Sequence, residues 1–374
     1  MGCFPCRNAE PEQQLSINRE QKQNKEVISN SLNNFQSLLD MKLPDFGDYV
    51  PENDFKTTIP KEYQDYMLNN PLKIDPKYNK GSHIYDAKPI KFNNGNIYEG
   101  KWNKELRMDG PGKYYLTNDK ILAEGNWDNG ECKYARIFQP NGDIYEGELK
   151  DSNYNGKGKL ITTNNEIYEG DFKDGEKCGK GKMTFSDGTI FEGNFEKGEF
   201  KGEGEMTWKN GTKYKGTFNG PVLNGKGVLE NENGDKYDGD FENNLFHGNG
   251  KYIFGKTKNV YSGEFQYGIR KGKGKYIIKD HYIFDGNWDN NLPNGTGIIT
   301  NLKGNGKLKS IWRFGKKVEE PIYESGNEED FSSIDLDFES EEIGLNPKEL
   351  PHLESIDNDF TQYRIGDIPS FLDD

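Results

Sequence analysis

Residues 168–190 read YEGDFKDGEKCGKGKMTFSDGTI, and this 23-residue stretch decides the fold. Its first half alternates like an extended strand with one apolar side. Tyr168, Gly170 and Phe172 lie on that side, and the two acids between them lie on the other. In the second half Gly179, Gly181, Met183 and Phe185 share a side in the same way. The stretch therefore predicts a β-hairpin.

Turn dipeptides separate the two strands from each other and from the next copy. Asp174-Gly175 lies inside the hairpin, and Asp187-Gly188 follows it. Such dipeptides suit type I′ turns, so we expect this turn at both joints. A helix is excluded, because each glycine in a helix interior costs ~1 kcal/mol.

The aromatic-x-Gly-x-aromatic unit recurs in nine copies, with a fragment around Trp312 as a tenth candidate. The copies begin at Tyr98, Ala123, Tyr145, Tyr168, Phe191, Tyr214, Tyr237, Tyr261 and Phe284. Self-similarity at a fixed period is the signature of a repeat architecture. A Gly-x-Gly pair follows every copy except the second, which has Tyr134 and Arg136 there. We therefore expect the second repeat to pack worst.

The glycine pairs leave room for aromatic rings of neighbouring strands to lie against the backbone. The rings expected on this aromatic face are Tyr98, Trp102, Tyr145, Tyr168, Phe172, Phe191, Phe195, Tyr214, Phe218, Tyr237, Phe241, Tyr261, Phe265, Phe284 and Trp288. On the opposite face, acids of first strands and lysines of second strands should pair, each pair contributing ~0.2–1 kcal/mol. The sign inverts at Glu203 and Glu205, and Lys213 and Lys215 invert with it. This double inversion predicts that the two strands are neighbours.

Residues 91–312 resemble MORN (membrane occupation and recognition nexus) repeats. The resemblance implies an all-β fold, an elongated single-layer antiparallel sheet, used for scaffolding and membrane tethering without catalytic residues. We expect three regions: an extension over 1–86 with an amphipathic helix at 22–41 and a short helix near Lys61–Leu68, the array over 87–318, and an acidic tail over 319–374.

The N-terminus Met-Gly-Cys-Phe-Pro-Cys resembles that of dually acylated proteins. Gly2 is the residue that N-myristoylation requires. One myristoyl chain binds membranes only marginally, so a second signal is needed. Cys3 and Cys6 are the candidates for palmitoylation.

Charge is concentrated in the tail. Residues 319–374 hold 18 Asp/Glu and 2 Lys/Arg, so the charge of this region is −16. The net charge of the whole chain is −14, so the other residues sum to +2. We expect the tail to be disordered; the alternative is a segment that folds on a partner or covers the basic part of the array. A basic footprint for nucleic acid is missing from the sequence.

Residues for catalysis, metal binding or cofactor binding are not indicated by any motif. The four histidines fall at unrelated repeat positions, and Cys132 and Cys178 have no histidine at ligand spacing. We therefore expect no enzyme, no metal and no cofactor.

The leading functional hypothesis is a membrane-anchored scaffold whose array binds protein. A homodimer is a further expected assembly, and the expected location is the cytoplasmic side of the plasma membrane or of a ciliary or cortical membrane. One alternative is a module for phosphoinositides or other acidic lipids, through Lys251, Lys256, Lys258, Arg270, Lys271, Lys273 and Lys275. Another is a cytoskeletal or axonemal component without acyl groups.

Overall fold

The computed structural model describes residues 56, 58–74, 77, 85–92, 95–117, 119–304, 306–326, 328–331, 343–351 and 353. The acylation motif and the helix expected at 22–41 lie outside these residues. Helix α1 (Lys61–Asn69) confirms the short helix expected there, and 3₁₀ turns are found at Glu328–Phe331 and Pro347–Glu349. Strands account for most of the rest, as the all-β class requires.

The strands are β1 (Tyr85–Lys91), β2 (Ile97–Trp102), β3 (Met108–Leu116), β4 (Ile121–Asp128), β5 (Glu131–Phe138), β6 (Ile144–Lys150), β7 (Asn153–Ile161), β8 (Ile167–Lys173), β9 (Glu176–Thr184), β10 (Ile190–Glu196), β11 (Glu199–Thr207), β12 (Lys213–Asn219), β13 (Val222–Glu230), β14 (Lys236–Glu242), β15 (Leu245–Ile253), β16 (Val260–Gln266), β17 (Ile269–Ile278), β18 (Tyr282–Asp289), β19 (Leu292–Asn301), β20 (Lys307–Arg313), β21 (Lys316–Lys317) and β22 (Ile322–Ser325).

The described residues fall into two compact units, and the boundary between Gly179 and Lys180 lies within β9. In the first unit, each strand from β1 to β8 is antiparallel to the next. In the second, the same holds from β10 to β20. Both β21 and β22 pair with β20. The expected antiparallel fold class is confirmed.

The two joints of a repeat use different turns. Inside the hairpin, Asp174 and Gly175 both have positive φ, 51° and 87°, which confirms the type I′ turn. Between hairpins, Gly188 has a φ of 94° while Asp187 does not have a positive φ. The amide of Gly188 donates to the carbonyl of Phe185 (3.0 Å), and the amide of Phe185 donates to Thr189 (2.8 Å). The prediction of type I′ at this second joint is wrong, because a three-residue loop needs one left-handed residue only.

Helix α1 covers the face opposite the aromatic face at the start of the first unit. Tyr63 stacks on Phe138 at 4.8 Å between centroids, and its hydroxyl donates to Gln139 O (2.8 Å). The buried cluster beneath the helix is Ile59, Tyr63, Ile97, Tyr115, Leu122 and Phe138. These apolar side chains form the surface on which the helix docks.

The second repeat is well buried, contrary to expectation. Ala135 stands opposite Gly125 and is completely buried, as is Trp127. Arg136 lies 2.6 Å from the carboxylate of Glu146 and also donates to the carbonyl of Asn70. The methyl group of Ala135 thus lies against Gly125, where other repeats have a second glycine and a ring, while the helix packs on the opposite face.

The expectation of a disordered tail is wrong for the described part of 319–374. Strand β22 pairs with β20, and the ring of Phe331 lies 6.0 Å from that of Tyr323. Further on, Leu345 and Leu353 are buried against the second unit. Apolar residues between the acids supply the contacts that order these segments.

Glycine should be required wherever a ring lies against the backbone. A Cβ built at Gly158 would lie 2.6 Å from the hydroxyl of Tyr145. We expect Gly158→Ala to lower the free energy of unfolding by ~1–3 kcal/mol through overpacking. With Tyr145→Ala, the double variant should lose less than the sum of the single losses, measured by urea denaturation. Strict additivity would contradict this account.

Candidate interaction site

The aromatic face is a ladder of rings packed edge to face. All fifteen residues expected on it are at most 4 % exposed. The Tyr214 ring contacts Phe218 of its own strand at 5.1 Å and Phe241 of the next repeat at 5.2 Å, both nearly perpendicular. Tyr237 repeats this geometry with Phe241 and Phe265. Each ring therefore joins two hairpins.

The hairpins shift register just before the second large apolar residue of the unit, because the second strand bulges there. Between β12 and β13, Gly216 faces Gly227 and Phe218 faces Leu223, so Thr217 alone stands opposite the three residues 224–226 of the bulge. The hydroxyl of Tyr214 donates to the carbonyl of Thr217 (3.2 Å). Tyr98, Tyr145, Tyr168, Tyr237 and Tyr261 bond the residue three positions on in the same way. Burial raises the pKa of Tyr214, which keeps this donor protonated.

Copies that lack this tyrosine have an asparagine at the bulge. Ala123, Phe191 and Phe284 are followed three residues later by Asn126, Asn194 and Asn287, whereas no tyrosine copy has asparagine there. The amide of Asn194 donates to the carbonyl of Glu203 (3.3 Å), and Asn287 donates to Thr296 (3.5 Å). The amide side chain therefore gives the bulge a bond to the partner strand that does not depend on tyrosine.

A pair of substitutions tests this exchange. Tyr214→Phe should cost ~0.5–1.5 kcal/mol, since the bulge carbonyl loses a donor. In that background Thr217→Asn should recover part of the loss, whereas in the wild type it should not stabilise. Urea denaturation measures all four proteins. Equal effects of Thr217→Asn in both backgrounds would contradict the exchange.

Pairing within a hairpin, predicted for Glu169 and Asp171 with Lys180 and Lys182, is wrong, because both acids pair with lysines of the preceding hairpin. The opposite face carries ion pairs between adjacent hairpins. These are Lys157–Asp171 (2.6 Å), Lys159–Glu169 (2.8 Å), Lys182–Glu192 (2.7 Å), Lys226–Asp240 (2.6 Å), Lys275–Asp285 (3.2 Å) and Lys215–Glu205 (3.9 Å). Glu205 and Lys215 are direct register partners, so the neighbours inferred from the inverted signs are confirmed. Exposed pairs contribute little to stability, and here they set the charge balance of the face.

Arg270 does not belong with the candidates for lipid contact. It is 2 % exposed, and its guanidinium lies 4.9 Å from the Trp288 ring and 5.8 Å from the Tyr261 ring. Arg270 occupies the aromatic-face position that Phe246 fills one repeat earlier. The spacing of the repeats in the sequence already shows this equivalence. Lys177 fills the equivalent position over Tyr168, and burial lowers the pKa of Lys177 to about 8. Both cations stabilise the ladder from within.

The other candidates for lipid contact lie at the surface. Lys251, Lys256, Lys258, Lys271, Lys273 and Lys275 are all exposed. Lys275 pairs with Asp285. Six exposed lysines thus remain around β15–β17, one candidate fewer than the sequence predicted.

A segment of the acidic tail lies on the aromatic face of the second unit. We call residues 343–351 and 353 the strap. Tyr252, which faces Tyr237 and Tyr261 in register, accepts the amide of Leu345 at its hydroxyl (3.3 Å). The indole of Trp208 donates to Pro351 O (2.8 Å), and the amide of Asn244 donates to Leu353 O (3.3 Å). No sequence pattern pointed to these three contact residues.

Six segments match the family model described as MORN repeat: residues 145–166, 168–190, 191–213, 237–256, 261–281 and 284–306. Six segments of this chain are thus similar to MORN repeats. The copies that begin at Tyr98, Ala123 and Tyr214 lie outside these matches. No curated protein matches the sequence.

Solved structures show distant similarity. The TCP10 domain of Danio rerio CPAP, in complex with a STIL peptide, is 14 % identical, with a TM-score of 0.31, covering 60 % of this chain and 94 % of that one. The TCP domain of Drosophila melanogaster SAS-4, in complex with a proline-rich motif of Ana2, is 12 % identical, with a TM-score of 0.26 and coverages of 52 % and 90 %. A streptogramin B lyase is 13 % identical, with a TM-score of 0.14 and coverages of 62 % and 94 %.

Within the described residues, no group of three or more His, Cys, Asp or Glu side chains is arranged to hold a metal ion. In the same part of the chain, no helix has the length and hydrophobicity needed to cross a membrane. The site is therefore described by its aromatic face, its charged face and the strap.

Proposed function

We propose that this MORN-repeat protein is a non-enzymatic scaffold, held at the cytosolic face of a membrane by acyl groups and binding a protein partner through its aromatic face. One observation carries the protein-binding part: the aromatic face already holds a polypeptide segment, the strap. Trp208, Asn244 and Tyr252 bond the main chain of that segment. Contacts of this kind suit recognition of an extended peptide.

Anchoring is argued from the N-terminal sequence. Gly2 supplies the amine for myristate, and Cys3 and Cys6 supply thiols for palmitate. Two acyl chains hold a protein stably at a bilayer, whereas one chain alone does not. The proposed location is the inner face of the plasma membrane or of a ciliary or cortical membrane.

Substitutions at the N-terminus test the anchor. Gly2→Ala removes the myristoylation site, and we expect the protein to move from the membrane to the soluble fraction. Cys3→Ser with Cys6→Ser should keep the myristate label yet weaken retention, because a single chain binds with only about 10⁴ M⁻¹. Labelling with a myristate analogue and fractionation of cells measure both effects.

A matched control uses the two cysteines outside the motif. Cys132→Ser and Cys178→Ser should leave membrane retention unchanged. An unlabelled wild-type protein would rule out the anchor and favour the cytoskeletal or axonemal role.

The second candidate is direct binding of acidic lipids, favoured by the exposed lysines around β15–β17. Under our proposal, the Gly2→Ala protein should bind vesicles containing about a third phosphatidylserine and phosphoinositide no better than neutral vesicles, because acids balance most of the lysines in the array. Sedimentation measures binding. Strong binding that Lys256→Glu with Lys258→Glu removes, and that Lys209→Glu with Lys213→Glu does not, would replace our first choice by the lipid-binding role.

A further inference from the structure

We propose that the strap is a built-in ligand that closes the aromatic face between Trp208 and Tyr252, and that a partner peptide of the same chemistry opens this face by taking the place of the strap. The partner segment is an extended peptide with leucines at the positions of Leu345 and Leu353 and acids nearby. This inference rests on the proposed protein-binding role of the aromatic face.

The groove recognises main chain. The hydrogen bonds from Trp208 and Asn244 end on the carbonyls of Pro351 and Leu353, and the hydroxyl of Tyr252 accepts the amide of Leu345. Backbone groups are common to all peptides, so these contacts allow one segment to replace another. Specificity is left to the side chains that the groove buries.

Buried and exposed residues alternate over residues 344–348 of the strap. Leu345 is 6 % exposed and Leu353 is 1 % exposed, and Pro347 is buried between them. Asn346 and Lys348 are exposed. The strap therefore has the form of a linear motif, with apolar anchors at fixed positions and tolerant positions between them.

Two of the contact residues direct polar groups at the strap. The hydroxyls of six first-strand tyrosines bond their own bulges, whereas Tyr252 lies on a second strand and its hydroxyl contacts the strap. Asn244 occupies the turn position that is glycine in Gly175 and Gly198. Its Oδ1 accepts the amide of Leu223 (2.6 Å), which directs its Nδ2 towards Leu353.

The strap is joined to the rest of the second unit by a short connection. Phe331 is fixed beside β22, and eleven residues, 332–342, separate it from the strap. Short tethers give effective concentrations on the order of millimolar, so a strap of modest intrinsic affinity stays bound. The free peptide must compete with it, and its apparent affinity falls in proportion to the closed fraction. The acidic residues of the tail add long-range attraction to an array that carries +4 over residues 91–318, with 36 Lys/Arg and 32 Asp/Glu.

The test measures binding of a fluorescent peptide, IGLNPKELPHL, to the full chain by anisotropy. Leu345→Ser with Leu353→Ser weakens the strap, and this variant should bind the peptide at least about 10-fold more tightly than the wild type. Lys348→Ala, an exposed change in the same strap, should bind like the wild type. Equal affinity of the wild type and the strap-weakened variant would overturn the proposal.

The place of binding is tested in the strap-weakened background. Trp208→Phe with Tyr252→Phe keeps the rings and removes both hydrogen-bonding groups, so peptide affinity should fall about 5-fold or more. A scrambled peptide of the same composition should bind the strap-weakened variant no more tightly than the original peptide binds the wild type. Undiminished binding to the double Phe variant, or equal binding of the scrambled peptide, would place the peptide elsewhere and overturn the proposal.

A second measurement needs no substitution in the strap. Hydrogen exchange of the wild-type chain with a saturating ¹⁵N-labelled peptide should accelerate amides of 343–353 and leave β12–β15 unchanged. Slow exchange of the strap amides at saturation would overturn the proposal. Light scattering that showed a dimer in which two copies exchange their straps would also overturn it. Release of the Gly2→Ala protein from membranes is independent of these results, so failure of the strap and failure of the anchor are distinguishable.

Discussion

An aromatic ring packed against two facing glycines is the contact on which each repeat depends. The ring can approach the backbone only because neither strand carries a Cβ at that point, as at Gly147 and Gly158 beneath Tyr145. Its hydroxyl then reaches the carbonyl of Glu148, the first-strand residue opposite the bulge (2.7 Å). One side chain thus fills the core, fixes the bulge and joins neighbouring strands. A chain with 32 % hydrophobic residues can build a core in this way, because aromatic side chains bury large areas each.

This contact separates the functions of the two faces. The aromatic face is apolar and takes up almost all of the large side chains, so polar groups there are few and each has a specific role. Asn244 and Trp208 in the second unit are such groups, and they meet the strap. The opposite face balances its charges pair by pair. Its neutrality is the main physical reason to prefer a protein partner over an acidic lipid surface for the array.

Repeats also explain how local changes are tolerated. Each hairpin contacts its neighbours, so a departure in one copy is compensated nearby. Arg270 replaces an apolar residue and is held among four rings. Ala123 replaces a ring, and helix α1 covers the other face of the same hairpin. Asparagine replaces the tyrosine hydroxyl at the bulge. These substitutions leave the period intact while giving individual repeats different surfaces.

The sequence by itself determined the hairpins, their register and the identity of each face. These features depend on contacts between residues fewer than 20 positions apart, and the repeat displays such contacts again and again. The joint inversion of charges at Glu205 and Lys215 also identified neighbouring strands, whereas the partners of Glu169 and Asp171 came from the structure. Only the tertiary structure decided that α1 docks on the second repeat and that the tail crosses the aromatic face. Trp208 and Pro351 are 143 residues apart. A contact made once between distant segments leaves no period, and the apolar residues that form it resemble those of any amphipathic stretch.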